Sequence, residues 1–143
     1  MTNELAATAP VVDSLVQFTY LLHGELTRAC AENEVSVTQL RLLGILRDRT
    51  PTMAALADRL GLDRSSVSGL IDRAERRGLV ARRTSTDDAR VTLIDLTDAG
   101  QQLVASLAST VSTRIEALLQ PVSAGDRDSL QRITDAVVDS PRD

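Results

Sequence analysis

The chain is 143 residues long, 43% apolar and 25% charged, with a net charge of −4, one cysteine and one histidine. This composition excludes a disordered chain and suits one domain with a real core, and no run approaches the roughly 18 apolar residues that a membrane span requires. The lone Cys30 cannot form an intrachain disulfide, and one His, one Cys and no glycine-rich phosphate loop offer no nucleophile–base pair or metal-ligand set, so no enzyme, metal or cofactor is expected.

Residues 1–10 are small and polar, end at Pro10, and are expected to form a flexible arm. Glu4, with no basic region before the short apolar stretch, argues against a secretory signal, which makes the cytoplasm the expected location. From Val11 onward Val12, Leu15, Val16, Leu22, Leu26 and Cys30 recur at helical spacing and predict one long helix to about Asn33. On that stripe Cys30 reads as a small buried hydrophobe rather than a redox sensor. Ser36 and Gln39 form a capping box before a second helix that ends near Arg49, because Pro51 disfavours helical geometry at Thr50. Thr52 caps a short third helix with Leu56, Ala57 and Leu60, and Gly61 supplies the positive-φ residue of a tight turn.

Asp63 is the N-cap of a fourth helix whose Val67, Leu70, Ile71 and Ala74 share one face, and Gly78 ends it. Leu79 to Thr84 and Val91 to Leu96 are β-prone runs joined by the charged tip Ser85-Thr86-Asp87-Asp88-Ala89-Arg90. Thr97 then caps a long helix striped by Leu103, Leu107, Val111, Ile115 and Leu118. Pro121 breaks it, and Ser123 opens a last helix bearing Leu130, Ile133 and Val137. A helix-turn-helix followed directly by a charged hairpin is the outline of a winged-helix DNA reader. The predicted fold is mainly α (α+β), a single domain over residues 11–143 with the winged-helix region at 36–100. The stripes at 11–35 and 101–143 are too long for that compact unit. A second copy is the simplest surface to bury them, closure within one monomer being the alternative.

Charge follows the same division. Residues 1–35 carry one Arg against five acids (−4), residues 36–96 eleven Arg against eight (+3), and residues 97–143 four Arg against seven (−3). Positive charge is concentrated where the helix-turn-helix lies. All sixteen basic residues are Arg, in the acidic flanks too, which fits a GC-rich coding bias better than a functional choice. With the apolar face of the fourth helix set inward, Ser65, Gly69, Asp72 and Arg76 point outward, flanked by Ser66, Ser68 and Arg73. The serines suit base edges, and Gly69 permits close approach. The free amides at the helix start, beside Arg64, suit phosphate. Asp72 is expected to pair with Arg76 one turn on. Arg73, Arg76, Arg77, Arg82 and Arg83 form a cluster of candidate phosphate contacts. At the tip, Arg90 suits a narrow minor groove, with Asp88 holding its guanidinium.

Leu56-Ala57 through Leu60-Gly61, Ser66-Val67-Ser68 through Leu70-Ile71-Asp72-Arg73, Arg77-Gly78-Leu79-Val80, Asp88-Ala89-Arg90 and Leu96-Thr97-x-x-Gly100 together resemble the MarR family of bacterial winged-helix regulators. The resemblance runs over essentially the whole chain. It implies a homodimer interlocked through its terminal helices that binds pseudo-palindromic double-stranded DNA, recognition helix in the major groove and wing in the minor groove. It implies a repressor of its own or neighbouring genes. The family's Asp-x-Arg wing element falls on Asp88 and Arg90, and its recognition-helix positions on Ser65, Ser66, Ser68 and Arg73; Ala89 departs from the pattern, where a second Arg is frequent. The expected DNA contacts are thus Arg64, Ser65, Ser66, Ser68, Gly69, Arg73, Arg76, Arg83, Asp88 and Arg90. Release by a small phenolic or lipophilic effector is implied too, in a cleft for which Phe18, Tyr20 and His23 are candidate lining residues. The peroxide-sensing branch has its cysteine early in the first helix, unlike Cys30. A winged-helix module that binds protein rather than DNA is the rival reading.

Overall fold

The computed structural model describes the backbone of residues 2–141 and the side chains of residues 10–141. Its elements are α1 (Thr2–Ala31), α2 (Val37–Asp48), α3 (Met53–Leu60), α4 (Arg64–Arg76), β1 (Val80–Thr84), β2 (Thr92–Leu96), α5 (Asp98–Leu118) and α6 (Ala124–Val138). The backbone is helical from Thr2, ahead of the start expected at Val11, and Pro10 lies inside α1. Residues Leu5 to Ala7 and Ala9 are good helix formers, and the proline gives up one intrahelical hydrogen bond.

Five short polar side chains start five helices. Ser36, Thr52, Asp63, Thr97 and Ser123 accept hydrogen bonds from the amides of Gln39, Ala55, Ser66, Gly100 and Asp126, respectively, at 2.8–3.2 Å. Each satisfies an amide that the helix leaves without a partner. Gly61, at φ 66°, caps α3 in the left-handed conformation and turns the chain into α4.

The core lies inside the helix-turn-helix. Leu42 and Leu43 of α2, Leu56 of α3, Val67 and Ile71 of α4, Ile94 of β2 and Leu107 of α5 are fully buried around one another. The two strands are antiparallel, with Val80 opposite Leu96, Arg82 opposite Ile94 and Thr84 opposite Thr92. A third short pairing, Thr52 with Leu93, ties the start of α3 to the ribbon, supported by the Ile94 amide donating to the Pro51 carbonyl at 3.1 Å.

The ribbon meets α5 at a crowded joint. The Thr97 hydroxyl donates to the Gly78 carbonyl at 2.5 Å, and the Thr97 amide donates to the Leu79 carbonyl at 3.0 Å. A Cβ on Gly100 would lie 2.0 Å from that same Leu79 oxygen, so only glycine fits there.

The terminal helices are less complete. The C-terminal half of α1 packs on α5, burying Ala29 and Cys30. Its N-terminal half leaves Val11, Val12, Leu15 and Val16 exposed, and α6 buries no residue, with Ile133, Val137 and Val138 also exposed. Among the described residues, no helix is long and apolar enough to cross a membrane.

Candidate nucleic-acid interface

The fourth helix divides as its sequence period requires. Val67, Leu70, Ile71 and Ala74 are buried, while Arg64, Ser65, Ser66, Asp72, Arg73 and Arg76 are exposed and Ser68 and Gly69 half-buried. Its first turn is tightly organised. The Asp63 carboxylate accepts from the Ser66 amide and from the Ser65 and Ser66 hydroxyls, all within 2.9 Å. The Ser66 amide, then the two hydroxyls, hold the carboxyl of Asp63 down to about 2, well below its ordinary value. Two of the candidate base-reading serines are thereby oriented by the cap.

A Cβ at Gly69 would meet only the Arg73 guanidinium, at an ordinary 3.5 Å. The fold therefore does not require glycine at this position. An open groove of about 480 Å³ runs past Ser65, Ser66, Gly69 and Arg73 toward Ser36 and Thr38 at the start of α2.

The arginine cluster separates into groups with different work. Arg73 and Arg76 make no ion pair among the described residues and remain exposed at the helix surface. Arg77 faces away from such a role, because it donates to the Glu34 carbonyl at 2.8 Å and the Asn33 carbonyl at 3.2 Å in the α1–α2 turn. Glu34 there has φ 55°, an uncommon left-handed conformation for a non-glycine residue. Asp72 pairs with Arg82 at 2.7 Å, not with Arg76 as expected, and Glu75 shares the same guanidinium at 2.9 Å. The hydrogen bond with Asp72 raises the pKa of Arg82 further. Tertiary packing brings the strand closer to Asp72 than the next helical turn. Arg83 pairs diagonally across the ribbon with Asp95.

The wing tip is closed by its own backbone. The Ser85 amide donates to Val91 at 2.9 Å, and the Val91 amide donates to Asp88 at 3.0 Å. Asp88 also accepts from the Arg90 amide at 3.0 Å and, bidentately, from its guanidinium at 3.1 and 3.2 Å. The Arg90 pairing lowers the pKa of Asp88. The Arg90 side chain is nonetheless 90% exposed, so the pair aims a charge without hiding it.

The three candidate effector residues do not converge within one chain. Phe18 lines a groove of about 390 Å³ between α1, α5 and α6 with Leu22, Ile115 and Leu130, whereas Tyr20 and His23 lie exposed on other faces of α1. Cys30 is buried, and burial raises its thiol pKa, which disfavours the reactive thiolate. Sequence reading also undervalued Arg82, Glu75 and Gly100 as parts of this region. Strand alternation from buried Val80 already puts Arg82 on the inner face of the ribbon, a usable signal. No local signal marks the partners of Arg77, which lie more than forty residues away.

A sequence model of the MarR family matches residues 34–91, from the α1–α2 turn through the wing tip. The HTH-type transcriptional regulator YfiV of Bacillus subtilis is 24% identical over 98 residues, covering 68% of this chain. The match spans 61% of the length of YfiV, and 57% of the length of a second such regulator from the same organism. Solved structures share the fold, among them the following two. A MarR-family transcriptional regulator from Rhodococcus sp. RHA1 aligns with a TM-score of 0.79 at 20% identity, over 91% of this chain and 93% of that one. NadR in complex with 4-hydroxyphenylacetate aligns with a TM-score of 0.75 at 21% identity, over 92% and 94%. The MarR family's sequence model thus lies on the helix-turn-helix and wing of this chain, and the winged-helix fold shared with the solved structures extends through the terminal helices.

Proposed function

We propose that this protein is a homodimeric repressor that reads a pseudo-palindromic operator with α4 and the wing. The observation that carries this reading is the pairing of two presented elements: a serine-rich helix start oriented by Asp63, and a largely exposed Arg90 held in aim by Asp88. Ser65, Ser66 and Ser68 read base edges in the major groove, and Gly69, which the fold itself does not demand, allows the backbone to come close. Arg64, Arg73 and Arg76 bind phosphate, Arg83 adds to that field from the ribbon, and Arg90 enters the minor groove.

The exposed apolar faces of α1 and α6 support the dimer. Two recognition helices then address half-sites about one helical turn apart, ~34–36 Å. The likeness to NadR, crystallised with 4-hydroxyphenylacetate, supports a small phenolic effector that releases DNA. Because Tyr20 and His23 are exposed in the single chain while Phe18 lies in a separate groove, an effector site that uses all three is completed by the second protomer.

The test is binding to duplexes selected by the wild-type protein from fragmented source DNA, followed by fluorescence anisotropy across a salt series. Affinity should fall steeply with salt, and footprints should cover two inverted half-sites. Arg90→Ala should weaken binding by about 1–3 kcal/mol, the range of a specific groove contact, and Asp88→Ala by less. Salt-independent binding, or an Arg90→Ala variant that stays folded and binds like wild type, would favour a protein-binding module instead.

A further inference from the structure

Arg82 sits between the two elements that the proposed function assigns to DNA. It lies on the inner face of β1, two residues beyond buried Val80, while the next two residues, Arg83 and Thr84, are exposed. Its two terminal nitrogens are both engaged, one by Asp72 at 2.7 Å and the other by Glu75 at 2.9 Å. Those carboxylates are one turn apart on the same face of α4, so a single planar fork spans the helix and fastens the strand to it.

Two numbers separate Arg82 from Arg90. Arg90 has one carboxylate and a side chain 90% exposed, whereas Arg82 has two carboxylates and is 30% exposed. A phosphate approaching Arg82 would have to displace both partners and would face their negative charge. An isolated two-stranded ribbon is only marginally stable; here the Thr52–Leu93 pairing and buried Val80 and Ile94 hold its root on the core, and the Arg82 bridge fastens it to the exposed side of α4. The loop that carries Arg90 begins at Ser85, about 10 Å along the strand from Arg82. A small tilt at Arg82 is therefore carried outward to the tip.

We propose that Arg82 is a positioning residue: its bidentate bridge to Asp72 and Glu75 sets the angle of the wing against the recognition helix, so that Arg90 meets the minor groove while α4 occupies the major groove. It acts through Arg90 and not by contacting DNA. This rests on the reading of Arg90 given above, and it goes further by giving the two contacts a mechanical link. It also accounts for two acidic residues on a helix that is proposed to face a polyanion, since the bridge neutralises part of their charge.

The test is a double-mutant cycle on the full chain, using the fluorescein-labelled duplex selected by the wild-type protein. Arg82→Gln should weaken binding about tenfold when Arg90 is present and less than about twofold when Arg90 is already Ala, the non-additivity expected of coupled residues. Arg82→Lys keeps the charge but cannot span both carboxylates, so it should remain several-fold weak. It also completes the cycle if Arg82→Gln fails to fold, which far-UV circular dichroism and a thermal melt will show. A purely stabilising role would lower the melt without coupling to Arg90. Equal losses in both backgrounds, wild-type affinity for Arg82→Gln, or full rescue by Lys would overturn the proposal, the first and last pointing to a direct phosphate contact. If Arg90→Ala alone binds like wild type, the wing reading fails and this inference falls with it. Additive losses with Arg90→Ala still harmful sink only the inference.

Discussion

Gly100 shows how the lack of a side chain at one position shapes the joint between the winged-helix unit and the terminal helices. A Cβ there would sit 2.0 Å from a backbone oxygen, and backbone, unlike a flexible side chain, cannot swing away. Gly100→Ala is expected to destabilise the fold by about 3 kcal/mol or more, at the upper end of overpacking costs, as read by urea unfolding. Near-wild-type stability would mean that the α5 start can slide off the ribbon. Asp63 works electrostatically. Its folded pKa, about 2, is depressed from an ordinary 3.8, so its contribution to stability is fully present above about pH 4 and is lost as pH falls toward 2. Asp63→Asn keeps an acceptor for the Ser66 amide without the titration. Thermal midpoints of wild type and variant should therefore differ at pH 5 and converge as the pH approaches 2. A constant gap across that window would show that Asp63 does not titrate as proposed.

Elements are positioned by cross-links that the helical periods do not encode. Arg77, at the end of the recognition helix, holds the α1–α2 turn through the carbonyls of Asn33 and Glu34. Arg114 of α5 binds Glu25 on the adjoining part of α1 and Glu32 in the turn that follows it. The end of α4 is thus tied to the turn after α1, and that region is tied to α5. Arg77→Ala is expected to lower stability by about 1 kcal/mol, a modest value because the guanidinium is exposed. It should leave the salt dependence of DNA binding unchanged. A salt slope reduced by about 1 would instead return Arg77 to the phosphate contacts. The starts of α2 to α6 were legible in advance, though that of α1 was not, because each of Ser36, Thr52, Asp63, Thr97 and Ser123 is a short-range signal whose partner lies three residues away.

For the whole molecule, the decisive feature is apolar surface that the single chain leaves in water. Leu15 and Val16 on α1, and Ile133 and Val137 on α6, are exposed, although their spacing is that of buried stripes. The proposed homodimer covers them. Leu15→Asp combined with Ile133→Asp should convert a dimer into a monomer in sedimentation velocity, with loss of operator affinity and retention of helical content. A wild-type chain that sediments as a monomer at micromolar concentration would remove the basis for paired half-sites. The winged-helix core should survive the substitutions, since its buried cluster contains neither residue.

What the amino-acid sequence determined by itself is what depends on near neighbours. Caps, the Gly61 turn, the inward face of α4 and the Asp88–Arg90 pair all involve residues within a few positions of one another, and local backbone geometry brings these together. The division of charge along the chain pointed to the same region. The tertiary structure alone decided the long-range choices. Asp72 met Arg82 rather than Arg76, and Arg77 turned to carbonyls more than forty residues away. Each turns on where a second element packs. A charged side chain takes the oppositely charged or polar group that packing places nearest, and helical periodicity describes only one side of that contact.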